Sequence, residues 1–170
     1  MLLSKLIASE KTLKFEGADI AITGMTADSR QIKPGFLFVA IPGTTADGRS
    51  FIPDAIKNGA VAILAPTGTE VKGASLLTTP DIRKSLSKIA ATFYTKQPQT
   101  ITAVTGTSGK TSTAQYVREM WQSMGHKSAS IGTLGYVTEK EARYGSLTTP
   151  DAITLHHLLE ESAQDGITHL

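Results

Sequence analysis

The chain has 170 residues, enough for one large domain or two small ones, each able to bury a core. Its 17 basic and 15 acidic residues leave a net charge of +2, too small and too evenly spread to indicate a nucleic acid or an anionic membrane as partner. There is no cysteine, which excludes disulfides and thiolate metal sites. The opening MLLSKLIASEKT is interrupted at Ser4 and Lys5, too early for the apolar core of a secretory leader. No later run approaches the ~20 apolar residues of a membrane span, so a soluble, cytoplasmic protein is expected.

Short apolar runs then alternate with helical patterns, as in an α/β fold with a parallel sheet. GFLFVAI (35–41) and AVAILA (60–65) read as strands. SFIPDAIKNG (50–59) between them reads as a helix, with Ser50 as its cap and Gly59 as its stop. A strand near 75–78 leads into TTPDIRKSLSKIAATFY, where Ile82, Leu86, Ile89 and Phe93 fall on one helical face. Thr79 is placed to cap that helix, and Pro80 suits its first position. TKQPQT (95–100), polar and proline-bearing, reads as a linker between a domain at 1–97 and a second at 98–170.

ITAV (101–104) continues as a β-branched strand. The following helix carries Ala114, Val117, Trp121 and Met124 on one stripe and stops near Gly125, with Trp121 read as core. SASIGTLGY (128–136) gives another strand. TTPD recurs at 148–151 ahead of the helix PDAITLHHLLEESAQDG; the flanking sequences differ, so this is one capping solution used twice, not a repeat unit. His156 and His157 are adjacent, point in different directions and read as surface or packing residues, and His126 follows a helix end, where a cation is favoured.

The stretch with chemistry in it is AVTGTSGKTST (103–113). A nucleotide loop of the G-x-x-x-x-G-K-[ST] form needs its first glycine at 104, where Val104 stands; the glycine present is Gly106. Either this is a shortened phosphate cradle or a glycine-rich turn followed by an exposed lysine. A strand before it, a helix after it, two glycines and the Lys110–Thr111 pair favour the cradle. Main-chain amides and the positive helix end would meet phosphate, Lys110 would reach terminal oxygens, and Thr111 would ligate Mg²⁺.

TGTSGKTST resembles the ATP loop of the Mur ligase family, with Gly106 at the first glycine. Upstream, TADSRQIKPGFLFVAIPGTTADGRSFIPDAIKNGAVAIL is similar to the N-terminal domain of the MurE type, and LTTPD before a helix follows the same pattern. The resemblance implies a small N-terminal UDP-binding α/β domain followed by the start of a P-loop-type central domain. It also implies ATP and Mg²⁺ as cofactors, with Gly106, Thr107, Ser108, Gly109, Lys110, Thr111 and Ser112 as the ATP loop. Lys110 and Thr111 carry the catalytic roles, and Thr111 the metal. Substrate contacts carry over to Ala27 and Ser29, to Thr44, Thr45 and Ala46, and to Thr148 and Thr149. Asp28 and Arg30 read equally as ligand contacts or as an ion pair closing a loop, and Asp47–Gly48 as a turn. Some relatives have His-Gln where Thr44-Thr45 stands, and an Asn where Leu147 stands.

The activity so implied is formation of an amide bond. ATP phosphorylates the terminal carboxylate of UDP-N-acetylmuramoyl-L-alanyl-D-glutamate, and the amine of a diamino acid displaces phosphate. Meso-diaminopimelate is the expected amino acid, with L-lysine the alternative. The family's magnesium-binding Glu, its carbamylated Lys and its C-terminal domain would follow residue 170, so the chain is expected to be an N-terminal piece without turnover. The parent is expected to be monomeric, and the piece to leave strand edges and helix faces that are mobile or covered by a second copy. The rival functions are a phosphotransferase or NTPase using the same loop, and a UDP-sugar-binding module whose phosphate loop is not catalytic.

Overall fold

The computed structural model describes residues 1–43, 46–143 and 150–170. The chain divides into two compact units, Met1–Phe93 and Tyr94–Leu170.

The first unit is a five-stranded sheet with helices on its faces. Its strands are β1 (Lys14–Glu16), β2 (Gly24–Thr26), β3 (Phe36–Val39), β4 (Ala60–Pro66) and β5 (Ser75–Thr79), in the spatial order β1-β5-β4-β3-β2. Strands β2 to β5 run parallel, and β1 closes one edge antiparallel to β5. Parallel strands are covered on both faces, and β4 accordingly has five buried residues out of seven. On one face Phe38, Ala40, Ile63, Ala65 and Leu76 form a core with Ile52 and Ala55 of α2 (Ile52–Lys57). The alternate residues Leu37, Val39, Leu64 and Leu77 are fully buried on the other face. There α3 (Ile82–Phe93) turns Ile82, Leu86 and Ile89 inward, and Phe93 is half-buried at its end.

The short helix α1 (Leu3–Ile7) buries Leu3 and Leu6 and has no cap of its own. Asp19, distant in sequence, supplies one by accepting the Ser4 amide at 2.8 Å and the Ser4 hydroxyl at 2.7 Å. The Glu10 carboxylate, almost wholly buried, meets the Lys88 ammonium of α3 at 2.7 Å.

Two helix starts differ from the sequence expectation, and in both an aspartate takes the place of a hydroxyl residue. Ser50 does not cap: it lies within a 3₁₀ turn at Gly48–Phe51, where its hydroxyl and amide both donate to the Asp47 carbonyl. Asp47 Oδ1 accepts the Arg49 amide and starts the turn. Thr79 is the last residue of β5, fully buried with its hydroxyl 2.8 Å from that of Ser85. The cap of α3 is Asp81, whose Oδ1 accepts the Lys84 amide, so Pro80 stands before the cap. A carboxylate makes the stronger, charge-assisted bond to a helix amide.

The second unit contains α4 (Lys110–Ser123), a three-stranded antiparallel sheet of β6 (Ser130–Gly132), β7 (Gly135–Val137) and β8 (Ala142–Arg143), and α5 (Ala152–Gln164). The single strand expected over 128–136 is a hairpin, turned at Thr133 and Leu134 between the paired glycines Gly132 and Gly135. No strand forms at 101–104 either. Among the described residues of this unit, parallel pairing is confined to isolated bridges from His169 to Thr100 and Ser128, with the Thr102 amide donating to the Leu170 carbonyl at 2.8 Å. Asp151 caps α5 through the Ile153 and Thr154 amides, so both TTPD segments cap with their aspartate. Met124, expected on the buried stripe of α4, is 67% exposed, and Trp121 is half-buried against the His169 ring.

Candidate functional site

The bend between Val104 and α4 is the first element of the site. Gly106 and Gly109 take positive φ values of 151° and 78°. A side chain at Gly109 would touch nothing, so space does not select glycine there; its left-handed backbone does. Gly109 is the N-cap of a 14-residue helix and offers no side-chain acceptor. The first main-chain bond of the helix is Thr113 N–H to Gly109 carbonyl, at 2.9 Å. The amides of Lys110, Thr111 and Ser112 thus have no partner among the described residues, and they sit at the positive end of the helix dipole.

Two side chains converge on this end. Lys110 folds back so that its ammonium donates to the Gly106 carbonyl at 2.5 Å. The Thr111 hydroxyl donates to the Thr133 hydroxyl in the β6–β7 turn, at 3.4 Å. Thr107, Ser108 and Ser112 are exposed around the bend. A cleft of about 310 Å³ opens beside it, with Lys110, Thr111 and Thr133 at a polar side and Val104, Val117, Trp121, Ile131, Leu134 and Leu159 among its apolar lining. Open amides, an ammonium and a hydroxyl form a donor set that fits a polyphosphate, and the hydroxyl oxygen suits a hard cation held jointly with phosphate oxygens. Among the described residues no cluster of three or more His, Asp or Glu side chains could hold a metal.

In the first unit Ala27, Ser29 and Ala46 follow the carboxyl ends of the adjacent parallel strands β2 and β3, where α/β sheets bind ligands. Ala27 is exposed directly after β2. Ser29 is half-buried in a 3₁₀ turn at Ser29–Gln31; its carbonyl accepts from Asn58 Nδ2 at 3.0 Å, and its hydroxyl has no partner among the described residues. Ala46 is exposed, and its carbonyl accepts the Gly43 amide at 3.0 Å. Thr44, Thr45, Thr148 and Thr149 lie outside the described residues.

Both loops share a device, Asp-x-Arg at 28–30 and again at 47–49, whose signal is visible in the sequence. Asp28 Oδ1 accepts the Arg30 amide, and its two oxygens take Arg30 Nε at 2.9 Å and Nη2 at 2.8 Å. Asp47 repeats the pairing in another form: Oδ1 accepts the Arg49 amide, and Oδ2 alone takes both Arg49 Nε at 2.8 Å and Nη2 at 2.5 Å. The Arg30 guanidinium holds the Asp28 carboxyl down at about 2, and Arg49 lowers that of Asp47. Asp28 and Arg30 therefore form a loop-closing ion pair. Gly48, expected only as part of a turn, is also required by space: a Cβ there would lie 2.5 Å from the Ile41 carbonyl oxygen and 2.6 Å from its nitrogen, so this loop packs main chain on main chain just after β3.

Two family models match the chain in order: "Mur ligase family, catalytic domain" over residues 21–94 and "Mur ligase middle domain" over 104–170. The chain belongs to the Mur ligase family. Among similar Mur ligases is the UDP-N-acetylmuramoyl-L-alanyl-D-glutamate--2,6-diaminopimelate ligase of Rhizobium meliloti (strain 1021), 51% identical over 92% of this chain and 32% of the relative. A solved structure of an enzyme with that name superposes with a TM-score of 0.75 at 29% identity, over 87% of this chain and 31% of that one. A MurF ligase from Thermotoga maritima in complex with ADP superposes with a TM-score of 0.50 at 30% identity, over 61% of this chain and 24% of that one. The chain spans about a third of the length of the curated relatives it matches. Among the described residues no helix is long and apolar enough to cross a membrane.

Proposed function

We propose that this chain is the nucleotide-handling portion of an ATP-dependent ligase of peptidoglycan synthesis, one that adds a diamino acid to UDP-N-acetylmuramoyl-L-alanyl-D-glutamate. The observation that carries this reading is the uncapped start of α4, where three free amides, Lys110 and Thr111 meet at one bend. The names of the Rhizobium relative and of the superposed enzyme favour 2,6-diaminopimelate as the amino acid, with L-lysine the alternative. The ADP in complex with the Thermotoga neighbour favours an adenine nucleotide for the loop.

A carboxylate is a poor electrophile, and transfer of the ATP γ-phosphoryl group to it creates a leaving group that an amine can displace. In this reading the amides at 106–112 hold the polyphosphate and Lys110 leaves the Gly106 carbonyl to meet the transferring oxygens. Thr111 Oγ1 would hold Mg²⁺, which neutralises phosphate charge when bound. Ala27, Ser29 and the 44–46 loop receive the uridine end of the sugar nucleotide; the unpartnered Ser29 hydroxyl can both donate and accept there. Thr148 and Thr149 would contact the sugar nucleotide near its diphosphate and muramoyl part. The domain division is taken at 97/98, and the 170 residues alone are expected to bind without turnover.

Calorimetry of the chain with Mg²⁺-ATP and, separately, with UDP tests the two halves of this reading. The expected result is saturable binding of both, with Lys110→Ala weakening only ATP. Failure to take up ATP would leave a nucleotide-sugar holder; failure to take up either would remove the reading altogether.

A further inference from the structure

The Thr111–Thr133 contact bears on how the loop would bind its cation, and it rests on the phosphate-loop reading above. A hydroxyl that ligates a metal through its oxygen must turn its own proton away from the ion, and a proton so turned needs an acceptor. In this structure the Thr111 O–H is already turned, donating to Thr133 Oγ1 at 3.4 Å. That distance is long for a hydroxyl pair.

Thr133 is well placed for the task. It is exposed at the tip of the β6–β7 hairpin, whose turn is set by the Gly132–Gly135 pair, and it lines the same cleft as Lys110 and Thr111. Its position comes from a β-hairpin, not from the phosphate loop itself, so its contact reaches Thr111 from outside that loop. The ordinary loop signature, which looks only at residues 106–112, does not include it.

The geometry points to Thr133 as a positioning residue for the cation: it accepts the Thr111 proton, so that Thr111 presents a lone pair to Mg²⁺. Thr133 is not a ligand in this arrangement and touches no phosphate.

The test measures ADP binding by calorimetry in Mg²⁺ and in EDTA, for the wild-type chain and for Thr133→Val, Thr133→Ala and Thr133→Ser. Loss of an outer-shell partner of a metal ligand typically costs 10–100-fold, so both Val and Ala should lose about tenfold or more of the affinity in Mg²⁺ while keeping wild-type affinity in EDTA. Serine retains the acceptor and should stay within about threefold of wild type. Thermal unfolding of each variant separates a folding defect from a binding one, and Ala serves if Val at the exposed tip fails to fold. A wild-type magnesium effect in both Val and Ala overturns the inference, as does a Ser variant as weak as Val. ADP binding indifferent to Mg²⁺ in the wild type overturns it too, leaving the phosphate loop standing. No ADP binding in either buffer overturns the phosphate-loop reading along with it.

Discussion

The ammonium of Lys110 donates to the carbonyl of Gly106, four residues back, and so closes the loop on itself. The ammonium is thus held by the loop that would receive the phosphate, next to amides with no acceptor among the described residues. A polyphosphate gives those amides and the ammonium a common, charged acceptor. Hydrogen bonds to charged groups are worth roughly 1.5–3 kcal/mol, so Lys110→Ala should weaken ATP by about 10–150-fold. Lys110 is half-exposed and uninvolved in a core, so the thermal unfolding midpoint should move little. An unchanged ATP affinity would mean that the lysine plays no part in binding.

Gly109→Ala tests the backbone of the same bend. No atom obstructs the new methyl group, but φ of 78° is a left-handed conformation. Non-glycine residues held there cost about 1–2 kcal/mol. The loop is expected to relax by leaving that conformation, which would disperse the amides. ATP affinity should then fall by tenfold or so on the same energy scale. Circular dichroism should still report α4, because the helix interior is untouched.

Gly48→Ala is a steric test instead. The added carbon would meet main-chain atoms of Ile41 that no rotamer change can move. Overpacking of a tight site typically costs 1–3 kcal/mol, and chemical denaturation of the first unit should read about that loss. Ser29→Ala, which removes a hydroxyl without a partner among the described residues, should leave the same transition nearly unmoved and affect UDP binding only.

Much of this was legible in the chain. The apolar runs at 35–41 and 60–65 are strands because both sheet faces are covered, and the Ile82–Leu86–Ile89 stripe is buried because α3 closes one of those faces. The bend at 106–111 was marked by its two glycines and the Lys110–Thr111 pair, set between a strand and a helix, of which the helix forms and the strand does not. What failed was choice among neighbours. Both TTPD segments and the 47–50 turn offer several capping groups, and the carboxylate beats the hydroxyl each time. At 128–136 the two glycines signalled a turn that the apolar content concealed. The 101–104 segment has strand composition but only short pairing with 168–170, and composition cannot supply a partner. Thr133 was invisible because its role depends on a contact 22 residues away.

Acid should act on the first unit through Glu10. Its carboxyl is held at about 2, below the ordinary 4.5, because Lys88 and then Thr12 hydrogen-bond the charged form. A depressed folded-state value means that the unfolded chain binds the proton more readily. The stabilisation is therefore complete above about pH 4.5 and is lost as pH falls toward 2. Asp28, also held at about 2 by Arg30, adds a loss in the same direction. Glu10→Gln should lower the unfolding midpoint at neutral pH and flatten its dependence between pH 5 and 2. A variant that keeps the wild-type slope would assign the acid sensitivity elsewhere.

The two units should differ in how firmly they hold their amides. In the first, β3, β4 and β5 are covered on both faces, with Leu37, Phe38, Ile63, Leu64 and Leu77 fully buried. In the second, the buried apolar side chains among the described residues are Ala129, Tyr136 and Leu159, while Ile101 and Leu134 are more than two-fifths exposed. On the outer side of α4, Tyr116, Met120 and Met124 recur every four residues at 62–67% exposure. Local opening free energy follows buried apolar contact, so amides of α4 and α5 should exchange at least about tenfold faster than those of β4. Dilution distinguishes an intrinsic from an associated state. If a second copy covers the apolar stripe, protection of α4 should rise with concentration, and Met120→Lys with Met124→Lys should abolish the rise. Equal protection of β4 and α4 in a chain proven monomeric by sedimentation would show that the second unit is stable as it stands.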